Sequence, residues 1–281
     1  MTATAHTRRT APVRVSLPHA IKDTAVITRR NLLRNIRLPQ LLVFATIQPV
    51  MFLLLFNYVF GGSIGLALPP AAKGEYINWL LPGLLMQVAV FGSSQTAIGL
   101  TTDLQAGVID RFRSLPMARS AVLAGRTFAD LIRNAFVIGL MMTVGFLIGF
   151  RYQNGLVNFL AAMLLAGGFA YAFSWVMASI GLAVKDPETA QTAGFVPLFP
   201  LVFASSIFVP TQTLPDWLRV FADNQPISVV ANALRGLILG EGALFGEHTT
   251  GGLVTASIVW IAALIAVFAP LSVRLYRRAV G

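Results

Sequence analysis

Asp103–Arg126 reads DLQAGVIDRFRSLPMARSAVLAGR, a short polar and basic stretch between two long apolar runs. It carries Arg111, Arg113, Arg119 and Arg126, with Asp103 and Asp110 on its N-terminal side. Pro116 lacks an N–H and clashes with the preceding turn, so no straight helix runs through it. Gly107 and Gly125 stand near the two ends, where helices commonly stop. The expectation is a pair of short helical pieces at a membrane surface. Charge alone allows a plainer reading, a loop whose arginines only fix orientation.

The flanking composition sets the class. Of 281 residues, 56% are hydrophobic and 11% charged, against about 25% charged in soluble domains. So much apolar surface predicts an all-α, multi-pass membrane protein. Lys and Arg number 21 against 11 Asp and Glu. The basic residues cluster at the ends of apolar runs, which suits orientation and anionic headgroups better than nucleic acid. Without cysteine, disulfides, thiolate nucleophiles and Cys metal sites are excluded.

Working outward, residues 1–15 lack apolar periodicity and read as a disordered tail. A single membrane domain, 16–281, follows. In 16–38, Ile21, Ala25, Leu32 and Ile36 share a helical face flanked or opposed by Lys22, Arg29, Arg30 and Arg37. This predicts an interfacial amphipathic helix. Thr28–Arg34 also mimics a twin-arginine export signal, but the apolar runs that follow suit membrane insertion better. Six spans are expected at about 40–60, 79–101, 127–150, 156–184, 189–209 and 252–273. Trp79 is expected at an interface. Asp186-Pro187 has the chemistry of a helix start. Between the last two spans, 210–251 is too polar to cross and too apolar to be a free loop. It reads as short re-entrant helices, with Asn224, Pro226 and Arg235 as its markers.

With both ends inside, the inner side holds most of the Lys and Arg, including Arg8, Arg9, Arg14, Arg34, Lys185, Arg274, Arg277 and Arg278. The outer side holds only Lys73, Arg151, Arg219 and Arg235. This asymmetry agrees with an even number of spans. No lysine has the Gly-Lys-Ser/Thr context of a Walker motif, and His6, His19 and His248 share no metal-ligand spacing. The span limits put Asp130 and Arg133 near the inner surface, as a local ion pair. No acid then falls mid-span, which argues against a proton-coupled pump.

The word order Asp-Arg-Phe-Arg-Ser-Leu-Pro-Met-Ala-Arg, at 110–119, resembles the coupling region of ABC type-2 permeases, and among them the daunorubicin-resistance subfamily. Asn224–Ser228 with Arg235 resembles that family's re-entrant extracellular element. The likeness runs over nearly the whole chain, though outside these two stretches it is mainly hydropathy. Many type-2 permeases have Glu-Arg where this chain has Asp110-Arg111, which keeps the charge. The resemblance implies a half-transporter in the bacterial inner membrane with both termini cytoplasmic. Two copies would join two copies of a separately encoded ATPase. ATP and Mg would bind that partner, this chain holding no cofactor or metal. Asp110, Arg111, Phe112, Arg113, Leu115 and Pro116 would form the ATPase contact. The implied cargo is amphipathic, a drug or antibiotic. A lipid or glycolipid exporter of the same family is the alternative, and from another class a membrane carrier or scaffold that needs no ATPase.

Within that frame, Gln87, Phe91 and Gln95 follow one another by four-residue steps on one face of the second span, with Ser94 beside them. An aromatic between two amides can stack on a flat ring and offer donors and acceptors around it. Equally, such amides can bond neighbouring helices. Phe195, Phe199 and Phe203 repeat every fourth residue in the fifth span and are candidates for the substrate path and for a seam between two copies, with ordinary packing as the plainer reading. Gly145 and Gly149 offer a rival seam in the third span.

Overall fold

The computed structural model describes residues 17–37, 39–66, 68–69, 72, 76–108, 119–184, 186–246 and 248–280. Among them every regular element is a helix, with no strand. Helix α1 (Leu17–Arg37) precedes α2 (Pro39–Leu55), which continues through a π-helical turn, Phe56–Phe60, and a last turn, Gly61–Gly65. Then come α3 (Tyr76–Gln105), α4 (Arg119–Leu147), α5 (Gly155–Val184), α6 (Pro187–Phe203), α7 (Asp216–Asn224), α8 (Pro226–Leu239) and α9 (Thr250–Val280). Five of these are long and apolar enough to cross a membrane: α2 with its extension, α3, α4, α5 and α9.

The bundle is built around α3. Its apolar window is 89% buried, whereas that of α2 is 6% buried and faces outward. Small residues let the neighbours approach. A Cβ at Gly181 of α5 would sit 2.7 Å from the Ala97 carbonyl oxygen, and Ser93 donates to the Ala170 carbonyl at 3.0 Å. Close backbone approach of this kind replaces the hydrophobic effect as glue between helices in lipid.

Several sequence expectations shift. Gly107 ends α3 with φ 63°, as a C-terminal glycine should. Gly125 ends nothing: it lies inside α4, where a Cβ would meet Ile27 at 2.6 Å. The helix that carries the third span therefore begins at Arg119, and Arg119 and Arg126 belong to that helix. Helix α1 docks there through buried Ile27 and Asn31, while Ile21 and Ile36 stay exposed on the face read as lipid-facing. Asp103, at the foot of α3, holds Arg30 at 3.1 Å and Arg34 at 3.7 Å. The last helix absorbs Arg274, Arg277 and Arg278 into its final turns.

The largest departure is at 189–209. Asp186 caps α6 as expected, its carboxylate accepting from the Thr189 N–H at 2.8 Å with Pro187 in the first turn. Those bonds from Thr189 hold the Asp186 carboxyl below its usual range. The helix then stops at Phe203 after 17 residues, about 25 Å at 1.5 Å per residue and short of the ~30 Å hydrocarbon core. The chain turns back through 204–210 instead of continuing helically. Its freed backbone groups are met by the next elements. Gln225 donates to the Leu201 and Ala204 carbonyls at 2.9 and 2.8 Å. Ser228 accepts from the Ser206 N–H at 3.0 Å.

Arg235 completes the turn. Its guanidinium is fully buried and donates to the Ser206 and Ile207 carbonyls at 2.7 and 3.2 Å. It also donates to Ser206 Oγ, Asn232 Oδ1 and the Trp79 carbonyl at 3.1, 2.7 and 3.0 Å. The five N–H groups of an arginine thus meet five neutral oxygens. The group lies 3.6 Å from the Trp79 ring centroid. Trp79, expected at an interface, is buried beneath it. Gly83 leaves the room: a Cβ there would fall 2.7 Å from the Ile207 oxygen and 2.8 Å from Arg235 Nη2.

Replacing Arg235 by Met keeps the volume but strands three carbonyls, and should cost more than about 3 kcal/mol. Gly83→Ala, an overpacking change, should cost about 1–3 kcal/mol. Thermal unfolding of the detergent-solubilised protein measures both, and Gly83→Ala as stable as the parent would contradict the packing described.

Candidate functional site: a polar seam and the cavity beside it

Helices α3 and α4 meet along a polar seam. Arg126, Asp130, Arg133 and Asn134 fall on one face of α4 by helical spacing. Opposite them α3 presents Gly92, Gln95, Thr96 and Gly99. A side chain at Gly92 would overlap Asn134, and one at Gly99 would overlap Arg126. These glycines admit the polar groups of α4 against the α3 backbone.

Asp130, 2% exposed, is the centre of the seam. One carboxylate oxygen accepts from Arg126 Nε at 3.1 Å and from the Thr96 hydroxyl at 2.7 Å. The other lies 4.0 Å from Arg133 Nε. Arg126 also donates to the Gln95 carbonyl at 2.7 Å, and Arg133 Nη2 to the Gly92 carbonyl. The pair expected at a helix entrance near the surface is in fact deep in the helix. Asn134 is the midpoint of the apolar stretch Ala121–Leu147. Reading the helix start at Thr127 hid this; the start at Arg119 moves a buried acid mid-helix. A buried acid does sit mid-helix, so a missing acid no longer counts against a proton-coupled pump.

Next to the seam lies a cavity of about 250 Å3. Helix α2 contributes Ala45, Gln48 and Pro49 to its wall, α4 contributes Arg133, Asn134 and Val137, and α6 contributes Phe195. Its α3 wall holds Gln87, Phe91, Ser94 and Gln95. Thus five of the six residues expected on a substrate path border one space. The sixth, Phe199, does not; it is 53% exposed and stacks on Phe203 at 4.5 Å. Phe91 and Phe195 face each other at 5.3 Å between ring centroids. Ser94 turns its hydroxyl to the Phe91 carbonyl at 2.5 Å. Gln48, Arg133 and Asn134 were not read as site residues. The signal was present: their α4 members share the face of Arg126 and Asp130, opposite glycines seven residues apart.

The other candidates are elsewhere. Asp110, Arg111, Phe112, Arg113, Leu115 and Pro116 lie outside the described residues. Arg235 and Pro226 belong to the turn-closing element. Asn224 is exposed and donates to the Val220 carbonyl at 2.8 Å. Among the described residues no cluster of His, Asp and Glu could hold a metal ion.

Comparison with known proteins gives this architecture its context. The sequence pattern of the family described as ABC-2 type transporter matches residues 22–239. The chain belongs to the ABC-2 type transporter family. It is 34% identical over 260 residues to the daunorubicin resistance ABC transporter permease protein DrrB1 of Streptomyces coeruleorubidus, covering 92% of this chain and 87% of that one. It is 26% identical to the probable doxorubicin resistance ABC transporter permease protein DrrC of Mycobacterium tuberculosis, covering 92% and 90%. A putative transport permease of Cyanophora paradoxa, ycf38, is 24% identical, covering 81% and 78%. This ABC-2 chain is therefore a multi-pass permease homologous to the permease subunits of drug-resistance exporters.

The seam yields a contrast in stability. Asp130→Ala strands two arginines and should destabilise by about 3–5 kcal/mol. Arg219→Ala breaks an exposed pair with Asp223, 3.5 Å apart, and should cost less than about 1 kcal/mol. Thermal unfolding of the two variants side by side measures the difference; equal midpoints would contradict the burial of the seam.

Proposed function

We propose that this ABC-2 chain is the membrane subunit of an ATP-driven exporter of amphipathic drugs or antibiotics, with the cavity between α2, α3, α4 and α6 on the substrate path. The observation that carries the reading is the meeting of Gln87, Phe91, Ser94, Gln95 and Phe195 around one space, in a chain 34% identical to a daunorubicin resistance permease. Facing aromatic rings with a few placed polar groups are the usual make-up of a site for a flat amphiphile.

The full assembly in this proposal has two copies of the chain and two of a separate ATPase in the bacterial inner membrane. Both termini are cytoplasmic, and α6 with the turn after it counts as the fifth of six crossings. Residues 110–116 make the ATPase contact, and α7 and α8 form the re-entrant extracellular element. The copies meet through α2 and α6. In support, α2 is nearly bare, and its Phe56 stacks on Phe208 at 4.6 Å, which stacks on Phe203 at 5.1 Å. The rival seam at Gly145 is filled from within the chain by Leu81.

Reconstitution in liposomes with the ATPase tests the path and the coupling together. Phe91→Ala should change which compounds are transported, and their apparent affinities, while basal hydrolysis stays. The double replacement Phe112→Ala with Arg113→Ala should leave hydrolysis running and abolish transport of every compound. An unchanged substrate profile for Phe91→Ala would remove the cavity from the path, and normal transport by the double variant would remove 110–116 from the contact.

A further inference from the structure

Among the described residues, three buried polar atoms without a hydrogen-bond partner belong to residues on the wall of this one cavity: Gln87 Oε1, Arg133 Nε and Asn134 Nδ2. Buried polar groups are nearly always paired, so each orphan calls for a partner. Their side chains make one side of the cavity wall polar, although the three atoms themselves lie out of reach of a molecule inside it. It is also deep within an apolar helix, where an ionisable group is costly unless it is used.

The charge balance says what kind of group fits. The seam holds two cations, Arg126 and Arg133, around one anion, Asp130. Asp130 is committed first to Arg126, at 3.1 Å, and to the Thr96 hydroxyl, at 2.7 Å. Arg133 is left at 4.0 Å from the carboxylate, its side chain 10% exposed. Among the described residues its hydrogen bonds leave from Nη2 alone, to the Gly92 carbonyl and, at a long 3.5 Å, to Asn134 Oδ1. Arg133 borders the cavity and Asp130 does not, and no carboxylate among the described residues lines it. The space is therefore bordered by one surplus positive charge and an amide at one end. Phe91 and Phe195 supply the apolar wall, and Gln48 and Gln95 supply further amides.

We propose that the cavity recognises an acidic amphiphile, its carboxylate or phosphate held by Arg133 and its flat apolar part against Phe91 and Phe195. A hydroxyl or amide N–H on the same molecule would donate to the Gln48 or Gln95 amide oxygen. An anion neutralises the surplus charge and meets Arg133 Nη1, which makes no hydrogen bond among the described residues; a cationic amine does neither and adds a like charge beside Arg133. Placing the substrate here rests on the function proposed above. The acid could belong to a free small molecule or to a lipid headgroup, since both offer the same oxygens.

The test uses the full-length chain in nanodiscs, with three probes that share one flat ring system: 1-pyrenebutyrate, 1-pyrenebutanol and 1-pyrenebutylamine. Fluorescence titration, corrected with empty nanodiscs, gives relative affinities. The acid should bind roughly ten-fold or more tighter than the amine, the scale of one charge-assisted hydrogen-bonded pair. Arg133→Gln should erase the preference and Arg133→Lys should keep it. The wild-type comparison stands by itself if Arg133→Gln does not fold. An amine bound as tightly as the acid, or an acid preference that survives in Arg133→Gln, overturns the proposal. Phosphatidylglycerol in the nanodisc assigns the source: competition with pyrenebutyrate points to a lipid headgroup, and its absence to a free amphiphile. Phe91→Ala separates this proposal from the site beneath it. Weaker binding of all three probes without acid preference defeats only the acid; no effect on any probe defeats the site itself.

Discussion

A turn of backbone buried inside a helix bundle must have every polar group met from within, because no water reaches it. Residues 204–210 impose that requirement here, and Arg235 with Gln225 and Ser228 answers it. One guanidinium ties the turn to α3 through the Trp79 carbonyl and to its own helix through Asn232. A cation held by five neutral oxygens and a ring face is costly to desolvate. It persists because removing it would leave several carbonyls bare at once. The short α6, the return of α8 into the bundle and the burial of Trp79 all follow from this one arrangement.

The polar seam of α3 and α4 obeys the same rule with a different outcome. Arg126, Asp130 and Thr96 satisfy one another. Arg133, Asn134 and Gln87 do not, and they border the cavity. A fully paired network fixes structure, whereas a partly paired one beside an open space is suited to receive a ligand. The two sites sit at opposite ends of that scale. The Arg235 hub holds the helices, and the Arg133 end leaves donors free.

Much of this was legible in the sequence where hydropathy or local chemistry decides. The helix Gly155–Val184, the Asp186 cap and the short helices of 210–251 stand where composition and turn residues put them. The four-residue steps from Gln87 to Gln95 found the cavity wall on α3. What failed was positional. Gly125 looked like a terminator because glycine often ends helices; here its missing Cβ serves contact with Ile27. That one reading moved the start of α4 to Thr127 and made Asp130 and Arg133 look superficial. Trp79 was placed by its type's interface preference and Arg235 as a marker of the re-entrant element, and only tertiary contact pairs them. Local signals do not tell which neighbour a side chain meets, so Asn134 against Gly92 could not be read from either residue alone.

The central claim is that transported molecules occupy the cavity between α2, α3, α4 and α6. The chain lacks cysteine, so a single thiol can report on it. Gln95→Cys puts one at an exposed residue of the cavity wall, and Asn224→Cys puts one at an exposed site outside it. Rates of alkylation by N-ethylmaleimide would be measured in the reconstituted transporter, with and without a compound that stimulates hydrolysis. The account predicts slower labelling at position 95 with the compound bound and no change at position 224. Equal labelling at position 95 with and without a saturating transported compound would contradict it.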